Sequence, residues 1–333
     1  MVNYDNFFMD IALQEAWRYQ GLTYPNPAVG AVVAINNCII SKGAHTKAGA
    51  PHAEVEAIKN AYYTLTGDEH VLHLQDALEL HEYLVANAKD LFHNATIYVT
   101  LEPCNHFGKT PPCSLLIKKL GFQRVVIALK DPNEEAAGGA SFLRNCGIEV
   151  DIGIQEERAK VLIEPFLQWR SSTFTFFKLA QAFNGVIDGG IISGAESRKY
   201  VHALRDRIEL LVIGGNTVRT DRPILDARMV GGKAPDILIY SRKKEFDTTI
   251  PLFQIPNRKV FVEESLDRIK AYRYVMIEGG EGMLEATKDL VDWYLFFVAP
   301  ILKEGKSYQV PQKLQFLHQQ TCGKDMMIWS RNG

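Results

Sequence analysis

Residues 99–113 read VTLEPCNHFGKTPPC. Upstream, ATIYVTL (95–101) has the β-branched and aromatic content of a buried strand. Downstream, Cys113 follows Pro111 and Pro112 and precedes the apolar LLIKKLG (115–121), so it is expected to open a helix. A strand, an eight-residue loop bounded by Cys104 and Cys113, and a helix make an α/β unit with two thiols at one end. The chain has five cysteines (Cys38, Cys104, Cys113, Cys146, Cys322), too few and odd in number for a disulfide framework. The N-terminal MVNYDNFFMD lacks a basic region followed by an apolar core, so no secretory signal is expected. Reduced thiols are therefore expected, which favours metal binding over a Cys104–Cys113 bridge.

A second stretch, PHAEVEA (51–57), supplies what a metal would need. His52 and Glu54 sit two apart at the start of a run of good helix formers. A zinc site that activates water takes three protein ligands, an open fourth position and a proton carrier. His52, Cys104 and Cys113 give the ligands, and Glu54 gives a carboxylate free to move protons. A helix N-terminus at Cys113 favours the thiolate that zinc requires. This H-x-E followed by P-C and a later Cys is the pattern of zinc deaminases acting on aminated nucleobase rings. A site closed by a fourth protein ligand would instead be structural, and the sequence offers no such ligand nearby.

Bulk properties set the bounds. The 333 residues suit two domains; 47% are hydrophobic and 23% charged, the balance of a folded soluble chain. A net charge of −2 gives no electrostatic reason to bind nucleic acid or an anionic membrane. The longest apolar run, YLFFVAPIL (294–302), is about half a membrane span. A cytoplasmic protein is expected.

The coarse pattern predicts a helix over 5–20, a hairpin turning at Asn36–Asn37 between VGAVVAI and CIISKGA, and buried strands at 95–101 and 124–130. LHLQDALELHEYLVANAKDLF (72–92) reads as one amphipathic helix, with His70, His73, His81 and His93 as solvated positions. From TFTFFKLAQAF (173–183) onward the pattern restarts. IELLVIGGNTVRTDRPILDAR (208–228) reads as a buried strand and a Gly-rich turn. YVMIEGGEGMLEATKDLVDWYLFFVAPIL (274–302) reads as strand, Gly-rich turn, helix, strand. Glycines at strand ends suit a nucleotide-binding α/β domain, although no G-x-G-x-x-G fingerprint is present.

YPNPAVGAVV (24–33), GAHTKAGAPHAE (43–54), TLEPCNHFGKTPPC (100–113) and DPN (131–133), with GGNTVRTDRPILDAR (214–228) and IEGGEG (277–282), together resemble the bifunctional deaminase/reductase of riboflavin biosynthesis. The long loop between the cysteines marks that family, because most cytidine-type deaminases keep only two residues there. The resemblance implies a cytidine-deaminase-like domain at 1–150, with a helical insert at about 66–94 that the family usually keeps much shorter. A connector at 151–172 and a dihydrofolate-reductase-like domain at 173–333 would follow. It implies zinc and NADPH as cofactors, a phosphoribosylaminopyrimidine as substrate, and no nucleic-acid or membrane partner; a homo-oligomer is expected. By position, Asn26, His45, His106 and Lys109 would contact the deaminase substrate, with Glu54 catalytic. Ala180, Thr217, Asp221, Ser241 and Gly280 would line the NADPH site. Ser197, Arg205, Leu225, Arg228 and Glu278 would hold the reductase substrate, Arg205 and Arg228 as phosphate clamps.

The second half departs from the family pattern. Ala182–Phe183–Asn184–Gly185 stands where the family has S-L-D-G. The segment after SGAES (193–197) is shorter by roughly two helical turns and lacks a Trp that would pack on the cofactor. In the first half, Ala140 replaces a spaced glycine of the stretch after DPN. Two other readings stay open: a tRNA or nucleoside deaminase with the same zinc core, and a deaminase whose C-terminal domain is structural or oligomerising.

Overall fold

The computed structural model describes residues 4–74, 76–107, 111–133 and 137–333. Lys109 lies outside the described residues. The chain forms two compact units, one ending at Phe166 and one running from Leu167 to Gly333.

The first unit begins with α1 (Tyr4–Trp17), whose Phe8, Met9, Ala12, Leu13 and Ala16 are buried at helical spacing. The strands β1 (Gly30–Ile35) and β2 (Cys38–Ala44) form the expected hairpin. Asn36 and Asn37 both take left-handed φ values of 50° and 60°, the requirement of a tight turn whose twist matches the strands. Next come α2 (Ala53–Thr66), α3 (His70–His73), α4 (Ala77–Asn87), β3 (Ala95–Leu101), α5 (Cys113–Lys119), β4 (Arg124–Leu129), α6 (Gly139–Asn145), β5 (Glu149–Ile152) and α7 (Glu156–Ser171). Among the described residues the sheet order is β2-β1-β3-β4-β5, with β3, β4 and β5 parallel. Helix α2 lies hard against β2, because Gly43 has no side chain; a Cβ there would sit 2.4 Å from the Ala57 nitrogen. That contact seats the first turn of α2, with Glu54, beside the end of β3.

The insert differs from the single helix expected over 72–92. It is two helices, α3 and α4, because the Asp76 carboxylate caps the second by accepting from the Leu78 and Glu79 amides, both at 2.9 Å. Aspartate's local backbone bonding favours such a break over continued helix. His81 is also not solvated. It is 4% exposed among Leu80 and Leu84 of the core, whereas His70, His73 and His93 are exposed.

The second unit holds β6 (Phe174–Ala182), α8 (Ala195–Arg207), β7 (Leu210–Gly214), α9 (Gly215–Asp221), β8 (Asp236–Tyr240), β9 (Val260–Glu263), β10 (Tyr274–Glu278), α10 (Glu281–Thr287), β11 (Trp293–Ala299), β12 (Leu314–Cys322) and β13 (Asp325–Asn332). The sheet order is β12-β13-β11-β6-β10-β7-β8-β9, parallel from β11 through β9 and closed at one edge by the antiparallel β12–β13 hairpin. The Gly-rich stretch after β7 is a short helix rather than a turn. It ends at Arg222, whose left-handed φ of 44° stops it, its amide bonding the Val218 carbonyl. Among the described residues no helix is long and apolar enough to cross a membrane.

Candidate active sites

In the first unit, β3 ends at Leu101, and the chain passes through Glu102 and Pro103 to Cys104. The loop returns at Pro112, which caps α5, so Cys113 opens that helix as expected. The Cys113 amide donates to Cys104 Sγ at 3.4 Å and the Ser114 amide to the Cys104 carbonyl at 3.2 Å, pinning the two thiols together. His52 is the N-cap of α2. Its Nδ1 lies 3.4 Å from Cys113 Sγ and 3.7 Å from Cys104 Sγ, and the three donor atoms all fall within 4.8 Å of one another. Tetrahedral zinc with bonds of about 2.0 Å to nitrogen and about 2.3 Å to sulfur separates neighbouring donors by roughly 3.5 Å. The donor set fits zinc.

The electrostatics agree. The hydrogen bond to Cys104 raises His52 to about 9. The bond from Cys113 and the His52 imidazole hold Cys104 down to about 4. Cys104 is thus held as the thiolate while His52 and Cys113 keep protons, which a dication displaces on binding. Glu54 is buried beside it, within hydrogen-bonding reach of Cys113, and burial pushes its carboxyl up to about 7.

A cavity of about 300 Å³ opens onto these groups, lined by Asn26, His45, His52, Glu54, Cys104 and His106 among others. That is the low end of ligand-sized sites. His45 is 3% exposed, and burial lowers it to about 4, so it is neutral. Its Nδ1 donates to the Pro51 carbonyl at 3.1 Å, which fixes the tautomer and leaves Nε2 to accept from Asn26 Nδ2 at 3.1 Å. The Asn26 amide nitrogen is thereby committed to His45, and the residue lines the cavity. Sequence reading missed three polar lining residues. Asp131 and Asn133 belong to the DPN motif, and Glu102 anchors that loop by accepting from the Asp131, Gly138 and Ala140 amides at 3.1, 3.2 and 2.9 Å. The only signal for Glu102 was an acidic residue at the end of an apolar strand.

The second unit separates the expected residues into groups. Thr217, Ser241 and Gly280 line one cavity at the carboxyl ends of β7, β8 and β10, with Gly214, Gly215, Arg219, Arg242 and Lys243. Ala180 lies on β6 opposite Phe297, and Asp221 is exposed at the end of α9; neither lines that cavity. Gly215 forms a cradle, since a Cβ there would fall 2.5 Å from Ser241 Oγ and 2.9 Å from Arg219 Nη1. Bare backbone at a strand end is what the phosphates of a dinucleotide need, so the cavity fits NADPH.

Arg205 and Glu278 form a largely covered ion pair, and the Arg205 guanidinium also reaches the Asp226 carbonyl at 3.5 Å. Arg228 is exposed and bonds Asp226 Oδ1 at 2.7 Å. Leu225 is buried at a left-handed φ of 57°, held by Arg258, which donates to the Ile224 and Leu225 carbonyls. Ser197 is fully buried with its hydroxyl on the Cys322 carbonyl at 3.4 Å. Lys178 was not anticipated, although a lone lysine inside FTFFKLAQA was its signal. It faces Glu278 across the β6–β10 register, and burial lowers its pKa. For Glu278 burial acts upward, but Arg205 and Lys178 outweigh it and hold the carboxyl below its usual value.

Residues 2–129 match the zinc-binding region of cytidine and deoxycytidylate deaminases, and residues 184–328 match the RibD C-terminal domain. The riboflavin biosynthesis protein RibD of Aquifex aeolicus is 39% identical over 98% of both chains. The chain belongs to the RibD family. A diaminohydroxyphosphoribosylaminopyrimidine deaminase/5-amino-6-(5-phosphoribosylamino)uracil reductase from Thermotoga maritima shares the fold, with a TM-score of 0.63, 28% identity and 99% coverage of each chain. Acinetobacter baumannii RibD gives 0.63 and 26% over the same coverage. This RibD-family chain is a riboflavin-biosynthesis enzyme with a zinc-dependent deaminase half and an NADPH-dependent reductase half. The reading in which the second half is only structural gives way to a reductase.

Proposed function

We propose that the first unit deaminates a diaminopyrimidine carrying a ribose phosphate, and that the second reduces the ribose of the deaminated product to a ribityl chain. The substrates named for the Thermotoga maritima relative support this choice. The observation that carries it is the His52, Cys104 and Cys113 donor set with Glu54 buried alongside.

His52, Cys104 and Cys113 would hold a zinc ion, which would supply a water of lowered pKa as nucleophile. Glu54 takes the proton of the attacking water and returns protons to the ring nitrogen and the departing amine. The ring C–N bond breaks, ammonia leaves, and the water oxygen becomes the ring carbonyl. Asn26, oriented by His45, accepts from the substrate ring. His106, which lines the cavity, and Lys109 of the same loop are taken as the contacts for the ribose phosphate.

In the second unit, the bound NADPH would supply the hydride that reduces the sugar carbon. Thr217, Ser241 and Gly280 would hold the dinucleotide, while Ala180 and Asp221 lie outside that cavity's lining. Glu278, kept anionic by Arg205 and Lys178, accepts from sugar hydroxyls. Arg228 meets the phosphate, and Ser197 and Leu225 shape the loop and helix around it. The same reading takes the protein as a cytoplasmic homo-oligomer acting on a small molecule, with the net charge of −2 supporting the absence of a nucleic-acid substrate.

Ammonia release and NADPH oxidation, followed separately on the purified chain with the phosphoribosylaminopyrimidine, test both halves. Ammonia without NADPH oxidation at millimolar cofactor would remove the reductase assignment. Neither signal in zinc-loaded protein would remove both.

A further inference from the structure

Beside the substrate cavity of the first unit lies a second pocket, of about 190 Å³, that no step of the proposed reaction uses. It is lined by all three zinc donors, His52, Cys104 and Cys113, and by Ala77 and His81 of α4. Among the described residues, the lining of the substrate cavity includes His52 and Cys104 but not Cys113. Gly49 and His106 also line the second pocket and are exposed, so it opens to solvent. Asn26, whose amide nitrogen is taken by His45, borders it too; the rest of the wall is the small and apolar Ala50, Pro51, Val55 and Pro111. Helix α4 packs on α2 and α5, whose N-terminal ends carry His52 and Cys113, and so brings its imidazole to this pocket. One water needs about 10–15 Å³ of such space, so a metal ion fits with waters still attached.

His81 is 4% exposed, and its Nε2 is buried with no hydrogen-bond partner among the described residues. An unpaired buried nitrogen costs stability, and a leucine, such as Leu80 and Leu84 of the same helix, would fill a core position without that cost. A ligand that is present only part of the time explains the imidazole where no protein partner does, and imidazole suits zinc. We infer that this pocket is the port through which zinc reaches His52, Cys104 and Cys113, with His81 as a relay ligand that holds the ion in passage. The inference rests on the reading of that donor set as a zinc site. His81 is not among the donors that fall within 4.8 Å of one another, so it stands outside the finished site, whose fourth position stays open for water. A relay that stabilises only the passing state speeds entry and exit by one factor and leaves the equilibrium affinity where it was. A side chain that braces the ligands would instead change affinity, by roughly 10–100-fold when removed.

Zinc exchange on the full, zinc-loaded chain tests this without turnover. Release is followed with a chromophoric chelator at several concentrations, so that the chelator-independent rate is read, and uptake of zinc chloride is followed on the stripped chain. His81→Leu should slow both rates by roughly tenfold or more, the effect of ~1.4 kcal/mol on the barrier, with zinc content and Kd unchanged. His81→Cys keeps a zinc ligand in the pocket and should recover most of the rate. Ala77→Leu narrows the pocket with His81 in place and should slow both rates as well, which keeps the test open if His81→Leu does not fold. Unaltered rates in either leucine variant, no recovery in His81→Cys, or a weaker Kd with faster release in His81→Leu would overturn the inference. A wild-type chain that takes up no zinc would instead overturn the zinc reading beneath it.

Discussion

Arg205 holds Glu278 through a single nitrogen: Nη2 donates to both carboxylate oxygens, at 2.9 and 3.1 Å. The two residues are 73 apart in the chain, and their side chains are only 11% and 13% exposed. A guanidinium committed in this way orients the carboxylate first and meets a substrate second, whereas Arg228 remains 57% exposed on its loop.

The two arginines should therefore behave differently. Arg205→Met leaves Glu278 buried beside Lys178 alone and should cost about 3 kcal/mol or more in stability. Arg228→Ala should leave stability within about 0.5 kcal/mol and raise the reductase substrate's KM with kcat little changed. Thermal or urea unfolding and steady-state kinetics separate these outcomes; equal destabilisation by the two would contradict this division of roles.

Removing one thiol tests the donor set. Cys104→Ser should lose zinc and deaminase activity together, because hydroxyl is a poor replacement for thiolate at a site of this kind. Metal content by atomic emission decides it, and a full zinc complement in the variant would show that another group completes the site.

Glu54 is placed as proton carrier and not as ligand. Glu54→Gln keeps its shape and removes its basicity, so zinc content should stay normal while ammonia release falls by two or more orders of magnitude. Loss of zinc along with activity would make Glu54 part of the donor set and exclude it as a free proton carrier.

Asp5 links α1 to the sheet. Arg124 donates to its two oxygens at 2.8 and 3.0 Å and the Tyr98 hydroxyl donates at 2.9 Å. The Arg124 bond lowers the Asp5 pKa in the folded chain. A depressed carboxylate contributes stability that is fully present above its unfolded pKa, about 3.9, and is lost as pH falls through the lower folded value. Asp5→Asn should therefore be destabilised by about 1 kcal/mol at pH 7. The difference from the unsubstituted chain should shrink below about pH 4. Urea unfolding at pH 7 and pH 3 measures it, and a gap that widens in acid would mean that the folded chain favours the protonated carboxyl instead.

Local chemistry made part of the protein legible from sequence. The hairpin at Asn36–Asn37, the helix opening at Cys113 and the strand ATIYVTL follow from turn residues, proline placement and β-branched runs, all of which act over a few positions. His52, Glu54, Cys104 and Cys113 were readable because a catalytic zinc site restricts residue type and spacing so severely. The tertiary structure decided the rest. Asp76 split the insert that a continuous apolar periodicity had joined, since a cap depends on one side chain rather than on the period. His81 became a core residue because α4 packs inward, and an isolated helix pattern does not say which neighbour covers it. Lys178 and Glu278 met only because β10 lies beside β6, and Arg205 reaches the same carboxylate from α8. Sheet order brings together residues dozens of positions apart, and charges that are solvated and independent along the chain become paired, or conspicuously unpaired, once that order is set.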